Sequence, residues 1–97
     1  MARPAALSPD DVTAALHELA WWAGDTAGIV RTLELPSFRA AVDAVVAIAD
    51  LAEELDHHPD LDIRYRTLRV ALVTHSAGGV TELDLRLARR LDELLPG

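Results

Sequence analysis

Three of the chain's four histidines fall in two tight settings. His57 and His58 are adjacent and followed by Pro59, and His75 stands between Thr74 and Ser76. Imidazole is the side chain whose ordinary titration lies near neutrality, so it can both give and take a proton. Glu53 precedes His57 by four residues. On a helix that is about one turn, close enough for the carboxylate to reach the ring and fix its orientation and tautomer. A single histidine at a helix C-terminus is explained by the helix dipole. Two in a row before a proline, with Glu53 one turn back, suit an acid–base site better.

Two other chemistries compete. A catalytic zinc needs three protein ligands and an open position. His57, His58 and His75 could supply three, or His57 and His75 with a carboxylate. Adjacent residues of an extended segment point to opposite sides, so both rings of the pair would not meet one ion. No H-E-x-x-H helix is present, and the expectation is no metal. Ser76 adjoins His75, but a G-x-S-x-G elbow is missing, which argues against a serine hydrolase. His17 lies off the apolar face of its helix and reads as a solvent-exposed histidine.

These residues need a frame. Ser8, Pro9 and Asp11 spell a capped helix start, and Val12, Ala15, Leu16 and Leu19 continue it to about Ala20. Trp21 to Ala23 reads as a short strand, AGDTAG as a turn, and Ile29 to Leu35 as its hairpin partner. Ser37 should cap a long helix from Phe38 to about Leu55, stopped by Pro59. Its core stripe reads Phe38, Ala41, Val42, Val45, Ile48, Ala49, Ala52 and Leu55. Ala40, Ala44, Val46, Ala47 and Leu51 leave little polar surface, so the helix is expected to lie in an interface between copies of the chain.

Leu61, Ile63 and Tyr65 alternate in one phase, and Leu68, Val70, Leu72 and Thr74 in the other. The slip at Arg66–Thr67 implies a turn or bulge. After Ala77-Gly78-Gly79, Thr81 and Asp84 form a second capping box, and Leu83, Leu87, Leu91 and Leu94 share a last helical face. The order α-β-β-α-β-β-α implies an α+β domain, a four-stranded antiparallel sheet with three helices packed on one face. Residues 1–97 form a single domain, with 1–7 expected to be flexible.

Composition narrows the partners. The 97 residues carry a net charge of −7, and all nine basic residues are arginine. A phosphate-binding face needs clustered positive charge, so direct nucleic-acid binding is not expected. Arg64, Arg66 and Arg69 read as a solvated strand face flanked by acids. Cysteine is absent, which removes thiolate chemistry and suits a reducing compartment. No signal-peptide run or membrane-length apolar stretch is seen, so the reading is a soluble cytoplasmic protein.

Glu53, His57-His58-Pro59, Tyr65, His75 and Asp84, at these spacings, resemble the signature of the pterin-4a-carbinolamine dehydratase family. The likeness extends through the Trp-containing hairpin, "PSFRAA", "VTHSAGG" and "TELDLRLA", from Leu7 to Leu95. The resemblance implies the same α+β fold and a homodimer or homotetramer built through the long helix and a sheet edge. It implies removal of water from a 4a-hydroxytetrahydropterin to give quinonoid dihydropterin, after aromatic amino-acid hydroxylation. No metal or organic cofactor is implied, because the pterin is itself the substrate.

His57 and His75 then become the main acid–base residues, His58 an auxiliary one, and Glu53 the orienting carboxylate. Asp56, Thr74 and Ser76, with the histidines, would contact the pterin. Asp84 reads as a helix cap. Leu61 replaces a tryptophan of some relatives, and Ser76 an acid, which bears on affinity and side-chain preference. The alternative is a non-catalytic pterin-binding or protein-binding accessory module of the same fold.

Overall fold

The computed structural model describes residues 4–97. Its elements are α1 (Pro9–Glu18), β1 (Ala23–Asp25), β2 (Gly28–Glu34), α2 (Phe38–Leu55), β3 (Asp60–Arg64), β4 (Thr67–Leu72) and α3 (Glu82–Leu94). A single 3₁₀ turn, His75–Ala77, separates β4 from α3. The fold is the expected α+β arrangement, with three helices and one four-stranded antiparallel sheet in the order β1-β2-β4-β3.

Register explains which residues meet the helices. Ile29, Arg31 and Leu33 stand opposite Leu72, Val70 and Leu68, and Leu61 and Ile63 oppose Val70 and Leu68 from the other side. This face, period two along each strand, packs with Val12, Ile48, Leu51, Leu87, Ala88 and Leu91 into one core, while Leu61 at its edge stays exposed. Each fully buried aliphatic side chain here is worth about 1.5–3 kcal/mol relative to exposure. The opposite face carries Thr32, Glu34, Asp60, Arg64, Thr67 and Arg69, all exposed.

Arg31 is the exception on the inner face, 2% exposed among aliphatic neighbours. A buried charge needs a partner. Its Nη1 donates to Asp92 Oδ1 at 2.7 Å, its Nη2 donates to the Pro96 carbonyl, and its guanidinium lies 5.1 Å from the Trp21 ring centroid. Trp22 Nε1 donates to the same Asp92 oxygen at 2.9 Å. Arg31 Nε is buried without a partner.

Several boundaries differ from the sequence reading, each for a local reason. The first strand is Ala23–Asp25 rather than Trp21–Ala23, because the hairpin closes tightly on Thr26–Ala27. Gly24 has φ +142°, and a Cβ there would stand 2.1 Å from the Gly28 carbonyl oxygen, so only glycine fits. The turn after β3 falls at Tyr65–Arg66, with Tyr65 left-handed at φ 54°. The last strand ends at Leu72, not Thr74.

In α2 the buried residues are Ala41, Ile48, Leu51 and Ala52. Phe38 and Ala49, expected in the stripe, are exposed, and Leu51, placed beside it, is buried. A helix apolar nearly all round gives no sharp phase, so its periodicity fixes the rotation of the stripe only loosely. In α3, Leu94 is exposed and Leu85 and Ala88 are buried, as is Leu95 just beyond it. The expected flexible segment 1–7 falls partly on residues 1–3, which lie outside the described residues. Leu7 donates its N–H to Val80 O at 2.9 Å and packs on the core.

Candidate active site

The histidine pair is set by how α2 ends. Asp56 takes the left-handed conformation, φ 50° and ψ 44°. Its N–H reaches Glu53 O at 3.3 Å, and the His57 N–H reaches Ala52 O at 3.1 Å. This pair of bonds is a Schellman stop. The helix therefore ends at Leu55, before Pro59 can act, and His57 and His58 lie beyond it rather than on its last turn. That corrects the expected Glu53–His57 contact: the four-residue spacing holds only while the helix continues.

His57 turns inward instead. Its Nε2 lies 2.6 Å from Asp84 Oδ1, with the histidine side chain 12% exposed and Asp84 fully buried. Asp84 stands in the first turn of α3, where Thr81 caps the helix and Asp84 completes the capping box. Its Oδ2 accepts the Thr81 N–H at 2.9 Å and the Thr74 hydroxyl at 2.8 Å. A carboxylate only accepts, so the proton on this short contact sits on His57 Nε2. The network thereby assigns the tautomer and leaves Nδ1 as the ring nitrogen for other partners.

The other two histidines face solvent. His58 Nε2 lies 2.7 Å from Glu53 Oε2, both side chains well exposed. His75 starts the 3₁₀ turn and is 82% exposed, its Nε2 4.0 Å from Asp60 Oδ2. Every histidine of the set thus has its own carboxylate, and burial falls from His57 to His75. All three sit toward one end of the sheet, where β3 begins, β4 ends and α3 starts. Among the described residues, no three His, Asp or Glu side chains group as ligands for a metal ion.

Of the expected pterin contacts, Asp56, His75 and Ser76 are exposed. Thr74 is turned inward, 5% exposed, its hydroxyl engaged by Thr81 Oγ1 at 2.7 Å and by Asp84. Asp84 does cap α3 as expected, and it also seats His57, which the sequence reading missed. The available signal was its place at the end of the same spaced pattern. His17 is exposed, as expected. A surface hollow of about 690 Å³ lies elsewhere. It is an open groove between α2 and α3 lined by Ala47, Leu51, Leu94, Arg90 and three acids, and it holds no histidine. No described helix is long and apolar enough to cross a membrane.

Fold and site together define a class: a small α+β domain that gathers histidine–carboxylate pairs at one end of an antiparallel sheet. Comparison with known proteins makes this specific. The model of the family described as pterin 4 alpha carbinolamine dehydratase matches residues 5–94. A relative from Mycobacterium sp. (strain KMS), provisionally named a pterin-4-alpha-carbinolamine dehydratase, is 48% identical over 91 residues, covering 94% of this chain and 97% of its own. A similarly named protein of Mycolicibacterium smegmatis is 47% identical with the same coverage. The crystal structure of a transcriptional coactivator/pterin dehydratase from Brucella melitensis superposes with a TM-score of 0.85 at 34% identity. It covers 93% of this chain and 98% of its own. The chain belongs to the pterin-4a-carbinolamine dehydratase family, a family of hydro-lyases.

Proposed function

We propose that this protein removes water from a 4a-hydroxytetrahydropterin by histidine acid–base catalysis, yielding quinonoid dihydropterin. The C4a–O bond breaks as the hydroxyl takes a proton and leaves as water. The N5 electrons form the C4a=N5 bond, and the N5 proton passes to a base. Atoms and charge balance with two proton transfers, so the step requires no metal or organic cofactor.

The observation that carries the reading is the His57–Asp84 contact within a chain of this family. A histidine fixed by a buried carboxylate presents one defined nitrogen to a substrate, and a positioned acid–base group is worth about 10²–10⁴-fold in rate. His57 and His75 are assigned the two proton transfers, with His58 as an auxiliary group. Glu53 acts through His58. Asp56 and Ser76, each exposed and next in sequence to His57 and His75 respectively, are assigned contacts to the heterocycle.

The natural setting would be the cytoplasm, beside an aromatic amino-acid hydroxylase that releases the adduct. Phe38 and Val46 on α2 are exposed, and we assign that surface to a second copy of the chain; sedimentation as a strict monomer would refute this. A second reading, an accessory binding module, draws on the double description of the Brucella melitensis structure. One assay separates the two. The 4a-hydroxy adduct is generated with a hydroxylase and its dehydration followed spectroscopically, with and without chelator. Added protein should speed the reaction, equally in both. An unchanged rate would remove the enzyme reading, and a loss with chelator would bring in a metal.

A further inference from the structure

We infer that Thr74 is a positioning residue, the joint through which one buried carboxylate sets both His57 and His75. This deepens the dehydratase reading and rests on it for its kinetic part. Thr74 immediately precedes His75 and is buried, while His75 itself is exposed. Its backbone is fixed on every side. The Thr74 N–H donates to Gly79 O at 3.1 Å, and the Thr74 carbonyl accepts from Ala77 N at 3.0 Å and Gly79 N at 3.4 Å. These bonds close the turn that carries His75.

The hydroxyl ties that closed turn to α3. Proton counting gives the bonds a direction. Asp84 as a carboxylate has no proton to give, so the Thr74 hydroxyl donates to Asp84 Oδ2. Its single proton is then spent, so across the 2.7 Å contact the Thr81 hydroxyl donates to Thr74 Oγ1. The Thr81 oxygen in turn accepts the Leu83 N–H at 3.2 Å. The result is a directed relay, Leu83 N–H to Thr81 to Thr74 to Asp84, and the other Asp84 oxygen receives His57. The Thr74 hydroxyl has no proton left for a pterin, and its burial keeps it from one. Its effect on the reaction runs through the relative placement of the two histidines, where an ångström of error is worth orders of magnitude in rate.

The test uses two variants without the hydroxyl, Thr74→Val and Thr74→Ala, and one that keeps it, Thr74→Ser. Kinetics are measured on the enzymatically generated 4a-hydroxy adduct. Ring-nitrogen NMR is recorded on the ligand-free proteins. The expected result is a kcat lowered about tenfold or more in the Val and Ala variants with KM within twofold of the parent. Thr74→Ser should restore kcat. The ring signals of His57 should move in Val and Ala and return in Ser. A raised KM with kcat unchanged would make Thr74 a substrate contact and overturn the proposal, as would kinetics indifferent to the hydroxyl. The NMR arm stands apart from activity. If the parent protein proved not to be a dehydratase, unmoved His57 signals in both hydroxyl-free variants would still sink the joint.

Discussion

Helix α3 carries a carboxylate that meets a basic side chain near each end, and the two pairs have opposite characters. Near its start, Asp84 meets His57 at 2.6 Å with Thr74 and Thr81 as further donors. Near its finish, Asp92 meets Arg31 at 2.7 Å with Trp22 as a further donor. In each, a helical carboxylate draws in a cationic or potentially cationic side chain from another element. The partner decides the use. Guanidinium does not give up its proton in proteins, so the Arg31 pair can only hold the sheet to the helix. Imidazole is the side chain that exchanges its proton near neutrality, so the same geometry suits the acid–base role proposed for His57. A buried ion pair is therefore not in itself a sign of function; the exchangeability of its proton is.

The comparison can be broken at three points. The largest effect is expected from Asp92→Ala, which leaves Arg31 buried without its counter-charge. Loss of about 3–5 kcal/mol follows for a broken buried pair, a fall in Tm of tens of degrees for a domain of this size. The folded fraction should keep its dehydratase rate, and Arg31→Met with Asp92→Leu should recover much of the stability. If denaturant melts showed Asp92→Ala as stable as the parent, the anchoring role would be gone.

His57→Ala should act in the reverse sense. Asp84 would keep its Thr74 and Thr81 donors, so the stability cost should stay near 1–3 kcal/mol. The rate should fall about 10²–10⁴-fold. A variant retaining parental kcat would show that the inner pair, too, is only structural. The smallest effect is expected from Glu53→Gln. The Glu53–His58 pair is exposed and screened by water, so thermal unfolding should register under about 1 kcal/mol. A cost comparable to Asp92→Ala would mean that this contact is far more sheltered than its exposure implies.

Much of this architecture was legible from residues alone. Element order, the span of α2, the Ser8 cap and the Thr81 capping box follow from local rules, and the structure has them. Leu68, Val70, Leu72 and Thr74 are buried in the phase their alternation dictates. What local rules could not supply were the partners. The Glu53–His57 spacing was right for a helix, but the left-handed turn at Asp56 is a non-glycine exception that no spacing rule anticipates. Arg31 sits in the inward phase between Ile29 and Leu33, which should have demanded a buried acid. That the acid is Asp92, 61 residues on, is a tertiary fact. Asp84 is legible as a cap and not as a seat for His57, because one carboxylate serving two elements is invisible to any rule confined to one.

The handedness of one residue, Asp56, has a wider consequence. His57 and His58 are chemically identical and covalently adjacent, so nothing in their own composition distinguishes them. The backbone reversal after Leu55 breaks that symmetry: one ring is led under α3 to Asp84 and its neighbour is left in water against Glu53. A duplicated letter in the chain thereby becomes two side chains in different surroundings, and the information that separates them resides in a torsion angle rather than in a side chain.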